Sequence, residues 1–191
     1  MNNLNLSATE TALVVIDLQK GIVGMPTAPY AAAEVVRNAA ALADACRKSG
    51  APVFLVHVTP SPDGKDALHP AADSAMQRGA PAPDWAEFVP EMAPQPNDLV
   101  ITKHQWGAFY GTELDLELRR RGVKTIILCG ISTNVGVEST ARFAYEYGYD
   151  QVFAEDACAA RTAEEHDFTF KTVFPRIGRV RKTAEIIAAL R

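Results

Sequence analysis

Apolar residues occur along the chain in short continuous runs that alternate with stretches of helical periodicity. A run such as Ala12–Ile16, which contains no polar residue, is typical of a strand buried on both faces of a parallel sheet. The pattern predicts strands at Ala12–Ile16, Pro52–Val58, Asp98–Thr102, Thr125–Cys129 and Gln151–Ala154. It predicts helices at Ala31–Ser49, Thr112–Arg121, Thr133–Tyr147, Ala163–Val173 and Thr183–Leu190.

This alternation of strand and helix predicts an α/β fold, with a parallel sheet covered by helices on both faces. The chain has 191 residues, so we expect a single domain over residues 1–191. The segment Thr59–Asn97, rich in proline and small residues, interrupts the alternation. Long connections of this kind form functional lids, interface arms or plain surface loops, and the sequence is compatible with each.

Charge and composition restrict the class of partner. The formal net charge is −4 and the basic residues are dispersed, so we expect no nucleic-acid partner. No apolar run approaches the ~20 residues that cross a bilayer, and the N-terminus lacks the features of a signal peptide. Three cysteines, Cys46, Cys129 and Cys158, do not form a disulfide framework. We therefore expect a cytoplasmic protein that does not bind membranes.

Polar residues follow three of the predicted strands. Asp17 follows the first strand, Lys103 follows the third, and Ile131–Gly136 connects the fourth to its helix. Because ligands of open parallel sheets bind outside the carboxyl ends of the strands, these positions predict a shared site. Each also has a structural explanation, since an Asp after a strand often caps a turn and a Lys there often meets solvent.

The sequences around these positions form motifs in a fixed order. They are Val14-Val15-Ile16-Asp17-Leu18-Gln19, then Lys103 with Ala108-Phe109 and Gly111-Thr112-x-Leu114, then the stretch Gly130–Arg142, with Glu155-Asp156-Ala157 as a shorter match. In these motifs the chain resembles the isochorismatase-like hydrolases, which include nicotinamidases, carbamoylsarcosine amidohydrolases and isochorismatases. The resemblance extends from about Thr11 to the C-terminus.

The resemblance implies a three-layer α/β/α fold with a six-stranded parallel sheet in the order 3-2-1-4-5-6. The sixth strand is expected inside Thr59–Asn97, and the strands of Asp17 and Lys103 are expected to be neighbours. The resemblance also implies a cis peptide bond between Ile131 and Ser132. It further implies a homo-oligomer, dimer or tetramer, whose subunits close each other's sites.

The resemblance places the family's catalytic cysteine at Gly136. In the amidase members a cysteine thiolate attacks the substrate carbonyl, an Asp is its base, a Lys acts electrostatically, and backbone N–H groups stabilise the oxyanion. Glycine has no side chain, so no covalent intermediate can form at this position. We expect Cys46 and Cys129 to be packing residues, whereas Cys158, near the same sheet edge, stays open as a substitute.

Isochorismatases share the glycine, because they cleave a vinyl ether without a nucleophile. By this resemblance Asp17 is the general acid and Lys103 positions a substrate carboxylate. Asp17 must then hold a proton near neutral pH, which burial favours and Lys103 opposes. Ser132 and Asn134 argue against isochorismate itself, because isochorismatases have a tyrosine in the loop of Ser132 and a histidine near Asn134. The stretch Ser132-Thr133-Asn134 resembles the amidase branch instead.

Three functions are therefore open: a cysteine-independent hydrolase of a vinyl ether, a hydrolase of an amide, and a non-catalytic protein that binds a small molecule or serves as a scaffold. An idle buried Asp–Lys pair has a desolvation cost, which argues against complete loss of function. No cofactor is expected. The residues expected to contact a substrate are Gln19, Trp106, Phe109, Ile131, Ser132 and Val135.

Several of these residues have a second explanation. Trp106 and Phe109 are suited to stacking on a planar substrate and equally to an oligomer interface, and Gln19 is suited to hydrogen bonding between loops. His57 and His69 lack the Asp-x-His spacing of the metal site found in some nicotinamidases, so we predict no metal. Structural roles are expected for Thr133 and Asn134, which would cap a helix, and for Glu138 and Arg142, which would pair across one helical turn.

Overall fold

The computed structural model describes residues 4–73 and 82–191. Its six strands form one sheet in the order β3-β2-β1-β4-β5-β6, and every neighbouring pair is parallel. The strands are β1 Thr11–Ile16, β2 Val53–Val58, β3 Leu99–Lys103, β4 Thr125–Ile131, β5 Asp150–Ala159 and β6 Arg179–Arg181. The predicted fold class and strand order are confirmed.

The helices lie between the strands and after them. They are α1 Lys20–Val23, α2 Ala32–Ser49, α3 Leu114–Arg120, α4 Glu138–Glu146, α5 Ala163–Phe168, α6 Phe174–Ile177 and α7 Thr183–Ala189. Two π-helical turns, Thr133–Val137 and Thr169–Val173, precede α4 and α6. The predicted helix Thr133–Tyr147 is therefore a π-helical turn followed by α4. No helix of the described part of the chain is long and apolar enough to cross a membrane.

The core is built around β1, whose six residues are all buried between neighbouring strands and the covering helices. Helix α2 packs on the sheet through an apolar face, and Gly50 ends it in the left-handed conformation with φ 83°. Because that conformation is strained for residues with a Cβ, glycine is suited to this C-terminal cap. The buried face of α2 consists of Val35, Val36, Ala39, Leu42, Ala43 and Cys46.

The sixth strand is not where it was expected. The described residues of Thr59–Asn97 contribute no strand to the sheet, residues 74–81 lie outside the described part, and the sixth strand is Arg179–Arg181. This edge strand has three residues, two of them arginines, so no apolar run marks it. The fifth strand also continues to Ala159, past Glu155 and Asp156, whose charges end the apolar pattern.

Candidate active site

Asp17 and Lys103 meet at the carboxyl edge of the sheet. Asp17 follows β1 and Lys103 ends β3, and Lys103 Nζ lies 2.8 Å from Asp17 Oδ2. The expectation that their strands are neighbours is wrong, because β2 lies between them. Neighbouring strands are about 4.8 Å apart, so the four-carbon stem of a lysine is needed to join the two groups across β2.

The Asp17 carboxyl is held in an unusual environment. Its backbone has φ 54°, the only positive φ of a non-glycine residue in the described chain, and aspartate is one of the residues that tolerate it. The side chain is buried: Oδ2 accepts the bond from Lys103, and Oδ1 has no partner among the described residues. Burial raises the pKa of Asp17 from 3.8 to about 6, although the charge and hydrogen bond of Lys103 and the charge of His57 act in the opposite direction.

The Lys103 ammonium uses all three of its donors within the protein. Besides Asp17 Oδ2, it donates to the carbonyl oxygens of Gln105, at 3.1 Å, and Trp106, at 2.8 Å. The residue is only 1% exposed. An ammonium has three N–H groups, so Lys103 could bind a substrate carboxylate only by giving up one of these bonds. In this geometry Lys103 fixes Asp17 and the loop that follows β3.

Gly136 lies directly against the Asp17 carboxyl. It belongs to the π-helical turn Thr133–Val137, which follows the cis peptide bond between Ile131 and Ser132. A Cβ at Gly136 would lie 2.9 Å from Ile16 Cγ2, 3.0 Å from Asp17 Oδ2 and 3.5 Å from the Trp106 carbonyl oxygen. The structure thus brings together the three positions for which catalytic roles were expected.

Two threonines that flank Gly136 hold the turn in place. The Thr140 hydroxyl donates to the Gly136 carbonyl at 2.7 Å and accepts from the Ala108 N–H at 3.1 Å, which ties α4 to the loop after Lys103. The Thr133 hydroxyl shares a 2.9 Å hydrogen bond with His166 Nδ1, so the helix-capping role expected for Thr133 is wrong. Neither Thr140 nor His166 was singled out from the sequence, since only their burial distinguishes them.

The chain matches a model of the isochorismatase domain over residues 11–185. It belongs to the isochorismatase family. It is 52% identical over 190 residues to the isochorismatase family protein YwoC of Bacillus subtilis, covering 98% of this chain and 97% of that one. It is 50% identical over 187 residues to YecD of Escherichia coli O157:H7, covering 98% and 100%. The family predicted from the motifs is confirmed.

Solved structures of isochorismatase family proteins share the fold. An isochorismatase family protein from Burkholderia thailandensis superposes with a TM-score of 0.93 at 45% identity, covering 98% of each chain. N-carbamoylsarcosine amidase from Thermoplasma acidophilum gives 0.73 at 29% identity, covering 91% of this chain and 96% of that one. Ureidoacrylate amidohydrolase RutB of Variovorax paradoxus is 31% identical over 182 residues, covering 81% and 70%. The family therefore includes hydrolases of amide-type substrates.

Two of the residues expected to contact substrate, Gln19 and Phe109, make their contacts within the protein. The Gln19 side chain donates to the carbonyls of Val58 and Trp85, at 3.0 and 3.2 Å, and accepts from the Val58 N–H at 2.8 Å, so it joins two loops. Phe109 is buried and packs edge-on against Tyr147 and stacked on Tyr149. Both side chains are buried in the protein interior.

The other expected contacts border the turn and the loop around Asp17. Ser132 and Val135 are half-buried on the turn side, whereas Ile131 is buried at the end of β4. Trp106 is 61% exposed while its own carbonyl accepts from Lys103, so an open indole stands beside the site. Both roles expected for Trp106, stacking on substrate and oligomer contact, stay predictions.

The imidazole of His57 is occupied on both sides. Nδ1 lies 2.9 Å from the Ala86 carbonyl oxygen, and Nε2 lies 2.8 Å from the Thr102 hydroxyl. His69 is exposed. Within residues 4–73 and 82–191, no group of three or more His, Cys, Asp or Glu side chains is placed to hold a metal ion. Both ring nitrogens of His57 are therefore used within the protein.

The three cysteines of the chain lie in the protein interior. All three are fully buried, and burial raises the pKa of each thiol. Cys158, the one considered as a substitute, lies inside β5 opposite Gly130 rather than after the strand. Because the thiolate is the reactive form, a buried thiol with a raised pKa is inert.

Proposed function

We propose that this isochorismatase family protein is a hydrolase of a small molecule that uses Asp17 and Lys103 and forms no covalent intermediate. The observation that carries this proposal is the contact between Gly136 and Asp17. The turn that would present a nucleophile presents only a Cα, and the carboxyl beside it is buried and paired with Lys103. The site holds a proton-transfer group, and the position that the resemblance assigns to the nucleophile has no side chain.

Asp17 acts in this proposal as a general acid. With a pKa of about 6 it is protonated in roughly a tenth of the molecules at pH 7, so a usable fraction carries the proton. We place that proton on Oδ1, because Oδ2 already accepts from Lys103. When the proton leaves, the ammonium stabilises the resulting carboxylate without moving, which is electrostatic preorganisation.

The reaction that fits an acid without a nucleophile is the hydrolysis of a vinyl ether. Asp17 protonates the terminal CH₂ carbon of an enol-pyruvyl group, and the ether carbon becomes an oxocarbenium ion. Water adds to that carbon and returns a proton to Asp17. The hemiketal then breaks its bond to the alkoxy oxygen, which takes the proton of the hemiketal hydroxyl and leaves as the alcohol, while the remaining C–O becomes the ketone of pyruvate. One water is consumed for each ether cleaved, and no electrons are transferred.

Amide hydrolysis is the second candidate, and two observations favour it. Ser132, Thr133 and Asn134 resemble the amidase branch, and the amidohydrolase relatives act on amide-type substrates. In this version Asp17 is the general base, since most of the carboxyl is ionised at pH 7, and it activates a water that attacks the carbonyl directly.

The test begins with pyruvate release from isochorismate, followed through NADH consumption by lactate dehydrogenase. We expect release by the wild type, at least about a hundredfold less from Asp17→Asn, and unchanged release from Cys158→Ala, whose thiol is buried away from the turn. Unchanged release from Asp17→Asn would contradict the role of Asp17. A large loss in Cys158→Ala would contradict cysteine independence.

Ammonia release from ureidoacrylate and N-carbamoylsarcosine tests the amide candidate with the same variants. Release that depends on Asp17, together with inactivity towards isochorismate, would select amide hydrolysis. Inactivity towards all three compounds would contradict these hydrolase assignments. Binding of the same compounds, measured by calorimetry, would then support the alternative of a non-catalytic small-molecule binding protein.

A further inference from the structure

A buried histidine outside the Asp17–Lys103 pair is bonded to the turn that carries Gly136. His166, on α5, is 1% exposed, and Thr133, the first residue of the turn, is fully buried. The Thr133 hydroxyl and His166 Nδ1 are 2.9 Å apart. This bond joins residues 33 positions apart in the sequence and connects the start of the turn to a different helix.

The packing around His166 fixes the orientation of its ring. The ring stacks on Phe170, with centroids 4.4 Å apart, and meets Tyr30 edge-on at 5.8 Å. Helix α5 is fixed at its start by a capping box between Thr162 and Glu165. Since both the ring and its helix are held, Nδ1 is a rigid anchor for Thr133.

The environment of His166 favours the neutral imidazole. Burial lowers its pKa, and the nearby charges act in both directions. Its Nε2 is buried without a partner among the described residues, so a proton there would gain no compensating contact. The charged groups around the ring are Glu155 and Asp167, which favour protonation, and Lys182 and Lys171, which oppose it.

We propose that His166 is a positioning residue that acts through Thr133 to hold the turn Thr133–Val137 against the Asp17 carboxyl. The Thr140 hydroxyl holds the other end of the turn through the Gly136 carbonyl, so the segment is fixed at both ends. Loss of the Thr133–His166 bond frees the first end, and the packing of Gly136 on Asp17 loosens. This inference deepens the proposed function and rests on it for its catalytic consequence.

The first test follows the Asp17 carboxyl itself by ¹³C NMR titration, with Asp17→Asn to assign the signal. Thr133→Val removes the hydroxyl at constant shape, and His166→Phe keeps the ring between its aromatic neighbours. We expect each to lower the Asp17 midpoint by roughly half a pH unit or more, because water reaches a less tightly covered carboxyl. Thr133→Ser, which keeps the hydroxyl, should titrate like the wild type, and the double variant Thr133→Val/His166→Phe should match the single variants.

A purely structural role would give a different result. Thr133→Val and His166→Phe would then lower the urea midpoint and leave the Asp17 titration unchanged, which would overturn the proposal. If these variants fail to fold, ¹⁵N NMR of the wild-type imidazole decides. One neutral tautomer between about pH 7 and 9 supports an anchored ring, and averaging between the two tautomers in this range contradicts it.

Turnover of isochorismate separates this inference from the proposed function. We expect kcat to fall at least about tenfold in Thr133→Val with little change in KM, and Thr133→Ser to restore it. If the wild type does not turn over isochorismate or the two amides, the hydrolase proposal fails, whereas the Asp17 titration still decides the positioning role. If Asp17→Asn is inactive but Thr133→Val is fully active, the positioning role fails alone.

Discussion

The buried Asp17 carboxyl should make the protein less stable as the pH rises. The pKa of Asp17 is raised in the folded state, so the folded chain holds the proton more tightly than the unfolded chain does. The resulting stabilisation is complete below the ordinary carboxyl pKa of 3.8 and is lost as the pH rises through about 6. This is the opposite of the behaviour of an aspartate that is stabilised by an ion pair.

The magnitude follows from the distance between the two pKa values. From 3.8 to about 6 the full change amounts to roughly 3 kcal/mol of unfolding free energy, since one pH unit corresponds to about 1.4 kcal/mol. Roughly half of it, about 1–2 kcal/mol, falls between pH 5 and pH 8. The amide introduced by Asp17→Asn does not titrate, so the wild type should lose this amount relative to the variant over that range.

The assay is urea unfolding of the wild type and Asp17→Asn at pH 5, 6, 7 and 8, with the difference in unfolding free energy plotted against pH. Asp84→Asn is the matched control. The Asp84 side chain is half-exposed and Lys20 lowers its pKa, so its titration lies below this range and the difference for this variant should be flat. A flat difference for Asp17→Asn would refute the raised pKa. A difference that grows in favour of the wild type would show that the attraction of Lys103 outweighs desolvation.

Three further outcomes are expected from the same geometry. Gly130→Ala should lower the unfolding free energy by more than about 3 kcal/mol or prevent folding, because a Cβ there would lie 2.0 Å from the Ile16 carbonyl oxygen. Gly148→Ala is the control. Its φ is 80° but the space around it is open, so the loss in the same urea assay should be only about 1–2 kcal/mol. Gly136→Ala should lower Asp17-dependent turnover at least about tenfold, since the added methyl group forces the Asp17 carboxyl to move. The same variant should lose about 1–3 kcal/mol of unfolding free energy. Full activity would contradict the close packing of Gly136 on Asp17. Iodoacetamide should label none of the three cysteines in the native protein and all of them in urea, as counted by mass spectrometry.

The fold could be predicted wherever a strand is marked by a continuous run of apolar residues. Five strands are visible as apolar runs, and their alternation with helices determines the α/β class, whereas the order of the strands came from the family motifs. The edge strand Arg179–Arg181 could not be found, because an edge strand of three residues needs no apolar run. The extension of β5 to Ala159 was hidden for a related reason, since Glu155 is half-buried on the strand and interrupts its pattern.

Only those residues of the site that belong to the family motifs could be predicted from the sequence. Asp17, Lys103 and Gly136 converge as expected, but the partners of Lys103 could not be inferred, because two of them are backbone carbonyls of a loop. His166 is a similar case, since a histidine between Glu165 and Asp167 carries no signal of the group to which it bonds. Both depend on tertiary geometry that no local pattern encodes.

Gly136 affects the site through its packing against Asp17 as well as through its lack of a side chain. A loosely packed turn would leave the space of a side chain free beside Asp17. Instead, a Cβ at Gly136 would already touch Asp17 Oδ2 and the Ile16 side chain, so the turn and the carboxyl are packed too closely for any side chain between them. That close packing keeps water from the carboxyl, and desolvation is the largest cause of its raised pKa. A raised pKa of this kind is what the proposed nucleophile-free reaction would need from Asp17.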